Sequence, residues 1–228
     1  MLWALCFLIQ LNKTKIMDLQ QATIFGQKTI KSISFNEQEI IRDILFLHCD
    51  GKDIDCDPTY SVGNFYKKGL NKPKHKFDLM PQVDGVLSSD CRELPLESES
   101  INVLMFDPPF MFGSRDKQQE YLMSKRFTII QSFDDLRELY QSSLKEFFRV
   151  LKKNGVLIFK CQDFTDTHTT FTHSLVLNWA TEIGYNAKDL FILLSKGAMI
   201  NKSTQQRHAR KYHSYFWVFQ KAKAKVIY

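Results

Sequence analysis

Four consecutive residues, Asp107-Pro108-Pro109-Phe110, follow directly on the apolar run Ile101-Asn102-Val103-Leu104-Met105-Phe106. The run reads as a buried strand, and the four residues as the rigid turn that ends it. A residue ahead of a proline is pushed out of the helical region, and proline has no N–H to donate. The chain therefore leaves the strand extended, with a carboxylate and carbonyls able to accept hydrogen bonds and a ring beside them. The exocyclic amine of a nucleobase needs that set. Acceptors for its protons leave the nitrogen lone pair free to attack, and a ring gives the planar base a surface to lie on.

Acids and turn residues also close three other predicted strands. A strand over 53–56 runs into Asp57-Pro58-Thr59-Tyr60-Ser61-Val62-Gly63-Asn64, and one over 76–79 ends in Asp78-Leu79-Met80-Pro81. One over 85–88 leads to Ser89-Asp90-Cys91, ahead of Leu94-Pro95. Helical periodicity covers 36–48, with Asn36 as cap, and runs from the capping box Ser132-Phe133-Asp134-Asp135 to about 151, where Asn154-Gly155 is expected to stop it. Strands over 156–159, 190–194 and 215–219, and a helix over 171–183 ended by Gly184, complete the chain. Alternation of strand and helix predicts an α/β fold with a mostly parallel sheet and helices on both faces. In such sheets ligands sit at the carboxyl ends of the strands, where the acids lie.

The series of four strand ends resembles the amino-methyltransferases of the class I methyltransferase fold, in particular small DNA methylases of bacterial and phage type that act on adenine N6 or cytosine N4. The resemblance covers residues 40–219. It implies a Rossmann-like sheet of seven strands, mostly parallel, with the last strand antiparallel, and S-adenosyl-L-methionine as methyl donor. It places the cofactor against Asp57, Pro58, Thr59, Tyr60, Ser61 and Gly63, with Asp78 on the ribose hydroxyls and Asp90 and Cys91 at the adenine. Gly63 stands alone where the family usually has Gly-x-Gly. The Asp107 side chain, which also borders the cofactor, and the Pro108 carbonyl would take the protons of the target amine. Pro109 keeps the turn rigid, and Phe110 stacks on the extruded base.

Nucleic-acid contacts are expected elsewhere. Lys160 and Gln162 end the strand over 156–159 and border the target pocket; the competing reading is a solvated Lys160 and a helix-capping Asp163. The segment 201–213 carries Arg207, His208, Arg210 and Lys211, types that grip phosphate. Arg115, Lys117, Lys125 and Arg126 are candidate phosphate contacts on a lid or recognition loop over 111–128. His168 and His173 read as satisfied loop and helix residues, with no Ser/His/Asp relay expected.

Composition bounds the alternatives. The chain has 228 residues, 44% hydrophobic and 25% charged, which suits one cored domain. Its formal charge of +6 is uneven: residues 190–228 hold eight Lys or Arg and no Asp or Glu, a stretch that would draw a polyanion. Five scattered cysteines without C-x-x-C spacing argue against disulfides and a zinc site, and for a reduced, cytoplasmic protein. Residues 1–11 are apolar but too short to span a bilayer, and Met17 opens a more conventional start, so residues 1–16 read as an upstream extension to a domain over 17–228. No metal and no stable membrane association are expected. The chain is thus read as a nucleobase amino-methyltransferase, with DNA adenine N6 ahead of cytosine N4. An RNA base methyltransferase and a catalytically weak nucleic-acid-binding relic are the competing readings.

Overall fold

A computed structural model describes residues 29–110, 130, 132–165, 168–195 and 208–222. The chain divides into two units, Met1–Lys31 and Ser32–Tyr228, and the second carries the fold described here. The extension expected over residues 1–16 lies outside the described residues.

Helices begin where the sequence caps them. Asn36 starts α1 (Glu37–His48), its side-chain oxygen accepting from the N–H groups of Gln38 and Glu39 at 3.1 and 3.2 Å. Ser132 and Asp135 form the reciprocal capping box that opens α2 (Phe133–Val150). Gly184, at φ 116°, ends α3 (Thr172–Ile183) in the left-handed region that favours glycine. The expected stop at Asn154-Gly155 is not where α2 ends. The helix passes directly into a strand at Leu151, and Asn154-Gly155 lies inside that strand. There the ladder to its neighbour slips: Ile101 faces Leu151, but Val103 faces Val156. The left-handed Asn154 (φ 64°) and Gly155, whose missing Cβ would sit 2.9 Å from the Lys152 carbonyl, make the bulge. Asn-Gly suits a bulge as well as a helix stop.

The strands are β1 (Ile33–Ser34), β2 (Cys56–Asp57), β3 (His75–Asp78), β4 (Leu87–Ser88), β5 (Ile101–Phe106), β6 (Leu151–Cys161), β7 (Phe164–Thr165), β8 (Thr169–Thr170), β9 (Tyr185–Leu194) and β10 (His213–Lys221). Strands β7 and β8 form a small separate hairpin. The others make one sheet in the order β1-β9-β10-β6-β5-β2-β3-β4, parallel except for β10, which runs antiparallel to both neighbours. This is a Rossmann-like α/β sheet with an antiparallel last strand. Among the described residues it has eight strands rather than seven because two-residue β1 pairs with the edge of β9, and two residues carry no readable alternation.

Alternation along β6 divides the core. Leu157, Phe159 and Cys161 join a cluster with α2 and α3, in which Phe106 meets Phe147 at 4.7 Å and Phe159 at 5.0 Å between ring centroids. Ile158 and Lys160 therefore project to the other face, where α1 buries Ile40, Ile41 and Ile44. Strand order reverses between β2 and β5, so the residues that follow those two strands, Pro58 onward and Asp107 onward, meet at the switch point. Among the described residues no helix is long and apolar enough to cross a membrane.

Candidate active site

At the switch point the turn after β5 is fixed from two sides. The Asp107 N–H donates to Thr59 Oγ1 at 2.9 Å, tying it to the loop after β2. The Tyr140 hydroxyl, on α2, donates to the Pro109 carbonyl at 2.7 Å. The carboxylate of Asp107 is asymmetric. Its Oδ2 lies 3.4 Å from Lys160 Nζ, whereas Oδ1 is buried with no hydrogen-bond partner among the described residues. Burial pushes this carboxyl up to about 6; the Lys160 ammonium lowers it, and the Glu37 carboxylate raises it. A buried carboxylate oxygen without a donor is costly, and it marks where a donor from a ligand would fit.

Phe110 and Lys160 face an open cleft of about 900 Å³ at the carboxyl ends of the strands. Its walls include Glu37 and Gln38 from α1, Gln162 after β6, and His213 and Ser214 from β10. The expected target-side residues Phe110, Lys160 and Gln162 thus share one cavity. Lys160 is not solvated. It is 12% exposed, 2.7 Å from Glu37 Oε1, and its Nζ lies 5.1, 5.5 and 5.6 Å from the ring centroids of Phe65, Phe110 and Phe216. Burial acts to lower the Lys160 pKa, but Asp107 and Glu37 outweigh it and raise it.

On the other side of the switch point, Asp57 organises the loop. It is 1% exposed, and accepts from the Thr59 N–H at 2.9 Å and the Tyr66 hydroxyl at 2.8 Å. Burial pushes its carboxyl up to about 7 against those two bonds. Pro58 is buried behind it. Asp78 accepts from the Ser61 N–H on Oδ2 and from the Met80 N–H on Oδ1, each at 2.9 Å, leaving further lone pairs for a hydroxyl. Gly63 is left-handed (φ 67°), and a Cβ there would lie 2.5 Å from the Tyr60 hydroxyl. Its missing side chain makes room for Tyr60, which stacks on Tyr66 at 5.4 Å. The Asp90 carboxylate is paired with Arg92 at 2.6 Å, and the Arg92 hydrogen bonds hold it below the usual carboxylate range. The Cys91 thiol turns inward to Ser143 on α2 at 3.2 Å.

Arg115, Lys117, Lys125, Arg126 and Arg207 lie outside the described residues. His208, Arg210 and Lys211 precede β10, on the chain that leads to the His213 side of the cleft. Asp163 caps α3, accepting from the His173 N–H at 3.2 Å and its ring Nδ1 at 2.8 Å. Ser174 Oγ stands 3.1 Å from His173 Nε2, so Ser174, His173 and Asp163 do have relay spacing. The Tyr215 hydroxyl also donates to Asp163, and Tyr215 stacks on His173, which fits a helix cap rather than a nucleophile. Sequence reasoning missed Glu37, Phe65, Tyr66 and Tyr140. Tyr66 lies three residues past Gly63, a usable signal; Glu37 looks like any first-turn acid.

No protein-family model and no curated protein matches the chain. Among solved structures, it is similar to a protein described as a candidate DNA modification methylase from Thermus thermophilus, in complex with S-adenosyl-L-methionine, at 16% identity and TM-score 0.42, covering 58% of this chain and 53% of that one. TrmN from Thermus thermophilus aligns at 14% identity and TM-score 0.47, covering 83% and 50%. The cytosine-N4-specific PvuII DNA methyltransferase aligns at 18% identity and TM-score 0.40, covering 60% and 49%. The chain spans about half the length of each of these proteins.

Proposed function

We propose that the protein is an S-adenosyl-L-methionine-dependent methyltransferase that modifies the exocyclic amine of a nucleobase, adenine N6 in DNA being the first candidate. The observation that carries this reading is Asp107 Oδ1, a buried acceptor with no donor among the described residues, in the turn whose Phe110 lines the cleft and beside Lys160, which lines it too. The target amine donates to Oδ1 and to the Pro108 carbonyl, which turns its lone pair outward while Phe110 supports the base. The bound cofactor supplies the activated methyl group, so no nucleophile of the protein's own is required. Asp78 suits the ribose hydroxyls, and the loop 59–63 the remainder of the cofactor. Asp90 would have to exchange Arg92 for the adenine amine.

Calorimetry should show binding of S-adenosyl-L-methionine that Asp78→Ala weakens about tenfold or more. Asp107→Ala should keep that affinity and lose turnover on nucleic acid by a hundredfold or so, because the acceptor acts mainly in the transition state. Turnover near the parent rate in Asp107→Ala would remove the assignment.

A further inference from the structure

The ammonium of Lys160 is fully engaged, which needs explaining at the wall of a cleft meant for another molecule. Two carboxylates and three phenyl rings surround it: Glu37 at 2.7 Å, Asp107 at 3.4 Å, and Phe65, Phe110 and Phe216 at 5.1–5.6 Å. It reaches them from β6, Glu37 from the first turn of α1, and Asp107 from the end of β5. A phosphate contact would have to break this arrangement, whereas a fixed cation beside the acceptor uses it.

We propose that Lys160 is a positioning residue for Asp107: pinned by Glu37 and the three rings, it holds Oδ2 and so leaves Oδ1 aimed at the target amine. This rests on the function proposed above. Glu37 completes the device. An ammonium alone would oppose the positive charge that grows on the attacking nitrogen. With two carboxylates to one ammonium the group keeps a net negative charge, which favours that nitrogen. The groups facing Asp107 have opposing effects on its proton. Lys160 favours the ionised form. Glu37 opposes it, and the Asp57 carboxylate at the end of β2 is close enough to couple with Asp107; Tyr140 on α2 also faces it and stays protonated.

The two partners therefore make opposite predictions. In the full chain, the Asp107 carboxyl can be followed by carbon-13 NMR from acid to neutral pH, in parallel with kcat and KM for methyl transfer to mixed DNA and RNA oligonucleotides. Lys160→Met should move the carboxyl's midpoint up by about one pH unit or more. It should lower kcat roughly tenfold with little change in KM for the cofactor, and Lys160→Arg should restore most of both. Glu37→Gln should move the midpoint down, because it removes a like charge and leaves Asp107 as the remaining carboxylate on Lys160. Midpoints that stay put, or that move the same way in both variants, would overturn the proposal. Should the parent chain transfer no methyl group while the midpoints still move oppositely, the fault lies with the nucleobase reading; should it be active with fixed midpoints, the fault lies with Lys160.

Discussion

Asp57 and Asp107 are both acids that follow or end a strand, and from sequence they differ only in their neighbours. The structure separates their work. Asp57 has its oxygens filled by Thr59 and Tyr66, while Oδ1 of Asp107 has no partner among the described residues. Asp57 therefore reports on stability. Its folded carboxyl is raised from 3.8 to about 7, so the protonated form is favoured in the fold. The stabilisation is fully present below about 4 and is lost as pH rises through about 7. The melting temperature of the parent should fall between pH 5 and pH 8 by the equivalent of roughly 2 kcal/mol, and Asp57→Asn should flatten that slope. An equal slope in the variant would mean the proton sits elsewhere. What sequence could not convey at this scale is pairing over distance. Glu37 and Lys160 are 123 residues apart, and nothing local to either predicts the other.

Elements were legible in proportion to how local their causes are. Strand β5, the caps of α1 and α2 and the Gly184 stop depend on a few adjacent residues, and each forms where the sequence places it. Two-residue β1 and the bulge at Asn154-Gly155 depend on the strand alongside, which a linear reading does not see. Tyr140 on α2 holds the turn after β5, and Gly63 shapes the loop after β2 on the other side of the switch point; each offers a test. Tyr140→Phe removes the donor on the Pro109 carbonyl; stability should drop by about 1 kcal/mol, and kcat should fall severalfold with cofactor affinity intact. Gly63→Ala puts a Cβ against Tyr60 in a left-handed backbone. It should weaken cofactor binding without moving the melting temperature of the α2–β6 core, and Tyr60→Ala in the same chain should recover part of the loss. Full binding in Gly63→Ala would show that the loop does not contact the cofactor.

At the scale of the molecule, charge and topology agree on where a polymer would approach. The acid-free stretch from residue 190 to 228 includes the chain that leads into β10, and β10 walls the cleft through His213 and Ser214. Neutralising Arg210 and Lys211 should weaken nucleic-acid binding for all sequences alike and flatten its log–log salt slope by about one for each phosphate no longer neutralised. An unchanged slope would place the polymer elsewhere. Composition indicated the sign of this stretch; only the structure shows that Arg210 and Lys211 lie on the chain into β10, whose first residues wall the same cleft as Phe110 and Lys160. The function proposed for Asp107 is narrower: its Oδ1, without a partner among the described residues, would receive a nucleobase amine. The direct measurement is mass spectrometry of nucleosides released from DNA and from RNA after incubation with cofactor carrying a deuterated methyl group. Labelled N6-methyladenine is expected from the parent, and none when Asp107→Ala replaces it. Label on neither polymer, or label on a ring carbon or a ribose, would contradict the proposed function.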